Sequence, residues 1–451
     1  MTVLTRSLLI KAKRRSARLP KPIVAFLLVM LLPQTLAIFA GPVLITTYRA
    51  LMIALTPLIV RQILRQRRQM TLPDIVMAAF SLWSILCITV NFPGSQAVER
   101  AGQFLLEATS AYFLARMYIR SLDQLYALMR PIFLIITVAV ILGIPEAISH
   151  QKPILQYTSQ LTGISPGFYA PGTDVRMGFR RAQAFFENPI LFGLFCASGI
   201  GLFYYTEPRL WPRMLKLGMA AIGTFITMSS APLLAMTAQF LMITIEMLTR
   251  GIRHRIPVLI LLASTAFVAL DTFTKSGPFG LIINYLTFNQ NSSYNRVLIW
   301  QFGLVNIRTH PIFGLIPELW ERAPWMKVSI DNFWIYTGLL SGFVGWGLLT
   351  FAVVIIVWQF NRISLRDLSR RHIRFRRGWS MMIVAFVLTG FSVMFFGKLQ
   401  PWFYFLLGLG AAATRIYAAD AQQRRRASID AIGCPDDGSA YLVPAPEGRS
   451  T

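Results

Sequence analysis

Apolar stretches of spanning length alternate with short polar gaps along most of this chain. About 20 mostly apolar residues cross a bilayer core as a helix, and such stretches run near 23–40, 43–60, 72–91, 101–119, 130–148, 189–206, 214–229, 231–248, 257–273, 333–358, 379–397 and 401–417. The pattern predicts an all-α polytopic membrane protein with about twelve transmembrane helices. Most gaps are short. Two are long, about 149–187 and about 274–331, and a functional loop is most readily housed there.

Charge adds an orientation. Lys and Arg pile up in every second gap, so threading the chain from a cytoplasmic N-terminus puts 32 of the 44 Lys+Arg inside and 12 outside. Acids divide almost evenly, 10 inside and 9 outside, which leaves about +22 of the net +25 on the inner side. This asymmetry predicts an N-in/C-in topology with both long gaps on the outer, periplasmic side, where short helices would cap an outward-facing cavity. Residues 1–22 then form a basic cytoplasmic N-terminus and 23–417 the membrane domain. Residues 418–451, rich in Gly, Pro, Ser and Asp after Arg424, Arg425 and Arg426, form a disordered cytoplasmic tail. The first apolar stretch is too long for a signal peptide and has no clean cleavage site, so it reads as a retained span.

Composition narrows the classes further. A mean hydropathy of +0.54, with 55% hydrophobic and 14% charged residues, excludes a string of soluble domains. The pI near 10.8 would suit nucleic acid, but the cationic runs Lys11 to Arg18, Arg61 to Arg68 and Arg366 to Arg377 flank spans and serve orientation and anionic lipid headgroups instead. Cys87, Cys196 and Cys434 are scattered, and His150, His254, His310 and His372 lack ligand spacing, so neither a disulfide nor a bound metal or other cofactor is expected.

The candidate chemistry lies in the long gaps. In the first, GISPGFYAPGTDVRMGFRRAQAFFENP places Arg176, Arg180 and Arg181 just before the sixth span, against the charge bias. In the second, SSYNRVLIWQFGLVNIRTHPIFG predicts a short amphipathic helix on the membrane surface. Ser292 or Ser293 would cap it, Arg296 and Trp300 would lie on it, and Pro311 and Gly314 would end it. Within spans, Arg49 and Glu107 are the most expensive residues; they either pair with each other or line a polar cavity.

RAQAFFENPILFG, SSYNRVLIWQFGLVNIRTHPIFGL and SIDNFWIYTGLLSGFVG, in this order, resemble the O-antigen ligase/polymerase-like superfamily, the Wzy and WaaL type, and above all its ExoQ-like exopolysaccharide polymerases. The resemblance covers about 175–347 by motif. It implies a glycosyltransferase of the bacterial inner membrane that joins undecaprenyl-pyrophosphate-linked oligosaccharides at the periplasmic face, inverting and metal-independent. Membrane lipids, a chain-length regulator and export machinery are the implied partners. Arg181 and Arg296 occupy the family's two motif arginine positions, and guanidinium suits the charge that grows on a departing diphosphate.

Arg176 and Arg180 then steer or support, and Trp300, Trp320, Trp325 and Trp334 either stack on sugar or form an interfacial belt. Ligase-like relatives carry a His-Asn pair before the tenth span; here Asp331 and Asn332 stand there, so Asp331 is the candidate base or acceptor-orienting group, or else a helix cap. Glu187, Glu318 and Glu321 are weaker candidates. Asn188 replaces a His common in exopolysaccharide members, and Ala184 replaces a common Gly. The alternatives are a ligase passing glycan to lipid A core, a transporter or lipid flippase, and a scaffold.

Overall fold

The computed structural model describes residues 18–40, 43–164, 175–176, 178–249, 290–364 and 368–432. It is mostly helical, at 76%. Among the described residues, six helices are long and apolar enough to cross a membrane: Thr47–Arg65, Leu72–Asn91, Leu122–Ser149, Pro189–Thr206, Ser230–Leu248 and Phe333–Arg362. They make this a helical protein with the make-up of a multi-pass membrane protein.

In chain order the helices are α1 (Lys21–Val29), α2 (Thr47–Arg65), α3 (Leu72–Asn91), α4 (Gly94–Phe104), α5 (Ala111–Tyr118), α6 (Leu122–Ala127), α7 (Met129–Ser149), α8 (Pro153–Thr162), α9 (Pro189–Thr206), α10 (Leu210–Phe225), α11 (Ser230–Leu248), α12 (Gln290–Thr309), α13 (Phe333–Arg362), α14 (Arg370–Gly390) and α15 (Leu399–Ile432). A π-helical turn, Leu105–Ser110, joins α4 to α5.

Three expectations need correction. The stretch 23–40 is not one spanning helix: α1 ends after nine residues, about 14 Å of rise. Pro33, which has no backbone N–H, follows soon after. The chain then turns through an antiparallel hairpin of β1 (Ala37–Ala40) and β2 (Val43–Thr46), in register from Ala37 opposite Thr46 to Ala40 opposite Val43. A second small hairpin pairs β3 (Val175–Arg176) with β4 (Phe179–Arg180); the two short hairpins leave the chain all-α in class.

The tail does not lose structure at 418, because AADAQQRRRA is built of strong helix formers and carries α15 on to Ile432. Nor do Ser292 and Ser293 cap α12, which already runs from Gln290. The predicted span 257–273 and the tail beyond 432 lie outside the described residues.

α9 and α15 form the middle of the bundle. From Leu399 to Ala413, nearly every apolar side chain of α15 is buried, and α9 is buried over most of its length. Around them, α2, α3, α7, α10, α11 and α13 each turn part of their apolar surface outward, with Leu58, Leu82, Leu134, Leu215, Leu241 and Val354 exposed. A helix apolar on both faces is the sequence signature of a lipid-facing position.

The bundle has two unlike ends. At one, Arg116 donates from Nε and Nη2 to the two oxygens of Asp74, at 2.9 and 2.8 Å, and both side chains are fully buried. Arg371 pairs there with Asp123 at 2.7 Å, and His372 Nε2 lies 2.9 Å from Asp420. At the other end meet the starts of α2, α9, α13 and α15, the ends of α3, α7 and α14, and both hairpins.

Candidate functional site

Four short-range features build this second end. Asn188 caps α9, its side chain accepting from Ile190 N–H at 2.9 Å with Pro189 in the first turn. Asn332 caps α13 in the same way, accepting from Ile335 N–H at 2.9 Å and donating to Phe391 O at 2.7 Å. The loop 181–188 is held from below by Glu146, whose Oε2 accepts the N–H groups of Gln183 and Ala184, both at 2.9 Å. Lys152 Nζ donates to Gln183 Oε1 at 2.6 Å.

The fourth feature joins two sequence motifs. Gly314 and Gly342 both take left-handed backbone, φ +69° and +64°. Each faces a carbonyl of the other's segment so closely that a Cβ would come within 2.2 Å of it: Leu339 O for Gly314 and Ile312 O for Gly342. Leu315 N–H to Leu339 O and Phe343 N–H to Pro311 O fasten the contact. The PIFG turn thus docks into a break in α13, a fit available only to glycine.

These elements surround a cavity of about 540 Å³, within the ~300–1,000 Å³ of typical ligand sites. Its walls include Tyr48, Arg49, Arg100, Glu107, Glu187, Asn188, Asp331 and Tyr336. Arg49 Nε and Tyr48 O–H both donate to Glu107 Oε1 at 2.8 Å. The π-helical turn carries Glu107, and such turns re-aim one side chain relative to the helix around them. The pairing of Arg49 with Glu107 expected from sequence is present, and the pair also lines the cavity, so the two readings are compatible.

Glu187 is 3% exposed, and neither of its carboxylate oxygens has a hydrogen-bond partner among the described residues. Gly397, at φ +55°, stands so near that a Cβ there would lie 2.5 Å from the Glu187 carboxyl carbon. The next residue, Lys398, is fully buried, donates to Phe185 O at 2.7 Å and to Leu32 O, and lies over the Phe185 and Phe186 rings. Burial raises the Glu187 carboxyl above its ordinary value, with the Lys398 charge opposing; burial pushes the Lys398 ammonium down to about 8, with the Glu187 charge opposing.

The loop arginines sit in the layer beside the cavity rather than in its lining. Arg181 donates to Thr227 O at 3.2 Å and Ser229 Oγ at 2.5 Å, and Arg176 to Met228 O at 2.8 Å, so both grip the turn between α10 and α11. Arg180 donates to His150 O at the end of α7. Arg296, on α12, has a buried Nε without a hydrogen-bond partner among the described residues and feels the charges of Asp331 and Arg176. Burial lowers its pKa, with Asp331 opposing.

The structure brings Arg176, Arg296 and Asp331 together and puts Asp331 on the cavity wall. Arg180 and Asn332 are engaged with backbone instead. Trp300 donates to Phe391 O at 3.2 Å and stacks on the Phe391 ring at 5.5 Å, so one ring face is already covered. Trp320 and Trp334 are buried, while Trp325 is exposed.

Sequence reading passed over Tyr48, Arg100, Glu146, Lys152 and Lys398, all of which stand at span ends where polar residues are routine. Lys398 had one usable signal, a lone cation between two apolar stretches on the acid-balanced side. Among the described residues no three His, Cys, Asp or Glu side chains cluster as a metal site. Compared with known proteins, the chain matches no family model and no curated protein sequence.

Proposed function

We propose that the protein is a membrane glycosyltransferase: a polymerase that joins lipid-diphosphate-linked oligosaccharide units at the extracytoplasmic face of a bacterial inner membrane. The observation that carries this reading is the convergence of the three motif segments at one end of the bundle. Glu187 and Asn188 of the first segment and Asp331, Tyr336 and Leu340 of the third line one cavity. The second segment supplies Arg296, and its PIFG turn docks into the third at Gly342. Ala184 adds support, since it holds φ +51°, a conformation that favours glycine, at the position where many members of the resembled family carry Gly.

In this reading Arg296, with Arg176 and Arg181, receives the diphosphate, and the sugar enters the cavity. The acceptor hydroxyl attacks the anomeric carbon from the face opposite the diphosphate, which departs with the bonding pair and inverts the centre. Arg176 and Arg181, fixed by backbone carbonyls, need no reorganisation as charge builds on the phosphates, and one such donor is worth about 3–4 kcal/mol of barrier. The Asp331 charge favours the charged form of Arg296.

Arg181→Lys and Arg296→Lys keep the charge and lose the bidentate fork. In the host bacterium each is expected to abolish polymer while lipid-linked precursor builds up on the outer face. Precursor retained on the inner face would point to a flippase, and undiminished polymer to a scaffold; either result contradicts the proposal.

A further inference from the structure

We propose that Glu187 is the proton acceptor of this reaction, taking the proton of the attacking hydroxyl; the inference rests on the glycosyl-transfer reading above. Among the described residues, three carboxylates line the cavity: Glu107, Glu187 and Asp331. Glu107 already accepts from Arg49 and Tyr48 on one oxygen, which commits it to holding those two side chains. Asp331 is exposed and its charge acts on Arg296, so a proton taken up there would change the electrostatics of the diphosphate site.

Glu187 differs from both. It is buried on the cavity wall, and no described side chain donates a hydrogen bond to either of its oxygens, a cost to the folded state when the site is empty. A hydroxyl donor from a bound ligand removes that penalty. The carboxylate is also aimed: Gly397 leaves the room it occupies, Asn188 and Pro189 fix the backbone beside it at the start of α9, and Lys398 balances its charge. Its burial-raised pKa moves it toward the operating pH, where a general base is most effective.

The step balances without a further reactant. The acceptor O–H bond breaks, its proton goes to Glu187, and its oxygen bonds the anomeric carbon. The bond from that carbon to the diphosphate oxygen breaks, and the electron pair leaves with the diphosphate. Glu187 returns the proton to water as the product clears the cavity.

The test uses the purified full-length protein in liposomes with a synthetic lipid-diphosphate oligosaccharide and two competing acceptors, a second lipid-linked oligosaccharide and azide. Azide has no proton to lose. Glu187→Gln is expected to cut polymer formation by about 10²–10⁴-fold while leaving glycosyl azide formation within about threefold of wild type. Glu187→Asp should recover part of the polymer rate and keep its rise with pH, which Glu187→Gln should flatten.

Loss of both products in Glu187→Gln at unchanged thermal stability would make the residue structural and overturn the inference, as would an unimpaired ladder. Arg296→Lys, losing both products, checks the underlying reading separately. If the wild type makes neither product, the glycosyl-transfer reading falls and the inference with it.

Discussion

Gly397 holds its left-handed turn against the Glu187 carboxylate, and one added methyl group would occupy the space of that carboxyl carbon. Gly397→Ala is therefore expected to lower activity by tenfold or more and stability by about 1–2 kcal/mol, the cost of a left-handed L-residue, as read by product gels and thermal unfolding in detergent. The Arg49–Glu107 pair belongs to the same scale. Removing one member leaves a buried charge unmet, about 3–5 kcal/mol. A double-mutant cycle with Arg49→Met and Glu107→Leu should show the double variant less damaged than either single one.

Arg49 and Glu107 were legible in sequence because an ionisable residue deep in an apolar window is conspicuous. Asp74 and Arg116 form an equally buried pair, yet they escaped notice, since each stands within a turn or so of a predicted span end. Glu187 was visible only as one acid among several. Its distinction is that it is buried with no side-chain hydrogen-bond donor, and that is a property of three dimensions.

The lysine beside it makes a pH prediction. The Lys398 ammonium holds its proton only below about 8 in the folded protein, against 10.5 for an ordinary lysine. Between those values the unfolded chain binds more protons, so stability should rise with pH across that window, by roughly 3 kcal/mol in all. Lys398→Met should flatten that rise in thermal melts taken from pH 8 to 10.5.

Among elements, the junction of the PIFG turn with the break in α13 couples two motifs that are separated in sequence. Gly314→Ala and Gly342→Ala each drive a Cβ into a carbonyl and should both release the contact. Neither should unfold the bundle, because α9 and α15 carry the core away from the junction. The expected outcome is loss of activity with helical circular dichroism retained and faster proteolysis near residues 311–343.

Element positions were largely readable from hydropathy: 72–91 and 189–206 were predicted to the residue, since Thr71 and Asn188 begin those helices and Pro follows each cap position closely. The first stretch misled because 23–40 has the apolar content of a span but a Pro33 interruption and a β-branched, aromatic second half that pairs as a hairpin. The end of α15 misleads in the opposite direction: the scarcity of apolar residues after Tyr417 suggests disorder, yet Ala, Gln and Arg are strong helix formers and carry the helix to Ile432.

At the scale of the molecule, the unlike ends of the bundle match the charge asymmetry of the sequence. The end with Asp74 gathers Arg61, Arg65, Arg67, Arg68, Arg120, Arg370, Arg371, Arg374, Arg376 and Arg377; the cavity lies at the other. If the basic end is cytoplasmic, Ser329→Cys in a Cys434→Ser background should react with an impermeant maleimide added outside spheroplasts. Gln423→Cys in the same background should react only after permeabilisation. The reverse labelling would invert the topology and remove the cavity from periplasmic substrates.

This cavity and its arginine layer are proposed to transfer glycan from a lipid diphosphate. This activity is tested most directly by reconstituting the purified protein with synthetic lipid-diphosphate oligosaccharide, adding neither metal nor nucleotide sugar, and resolving the products on a gel. A ladder of repeat-unit spacing is expected for the wild type and none for Arg181→Lys or Arg296→Lys. No transfer by the wild type with its native donor, or a ladder unchanged in both variants, would contradict the proposal.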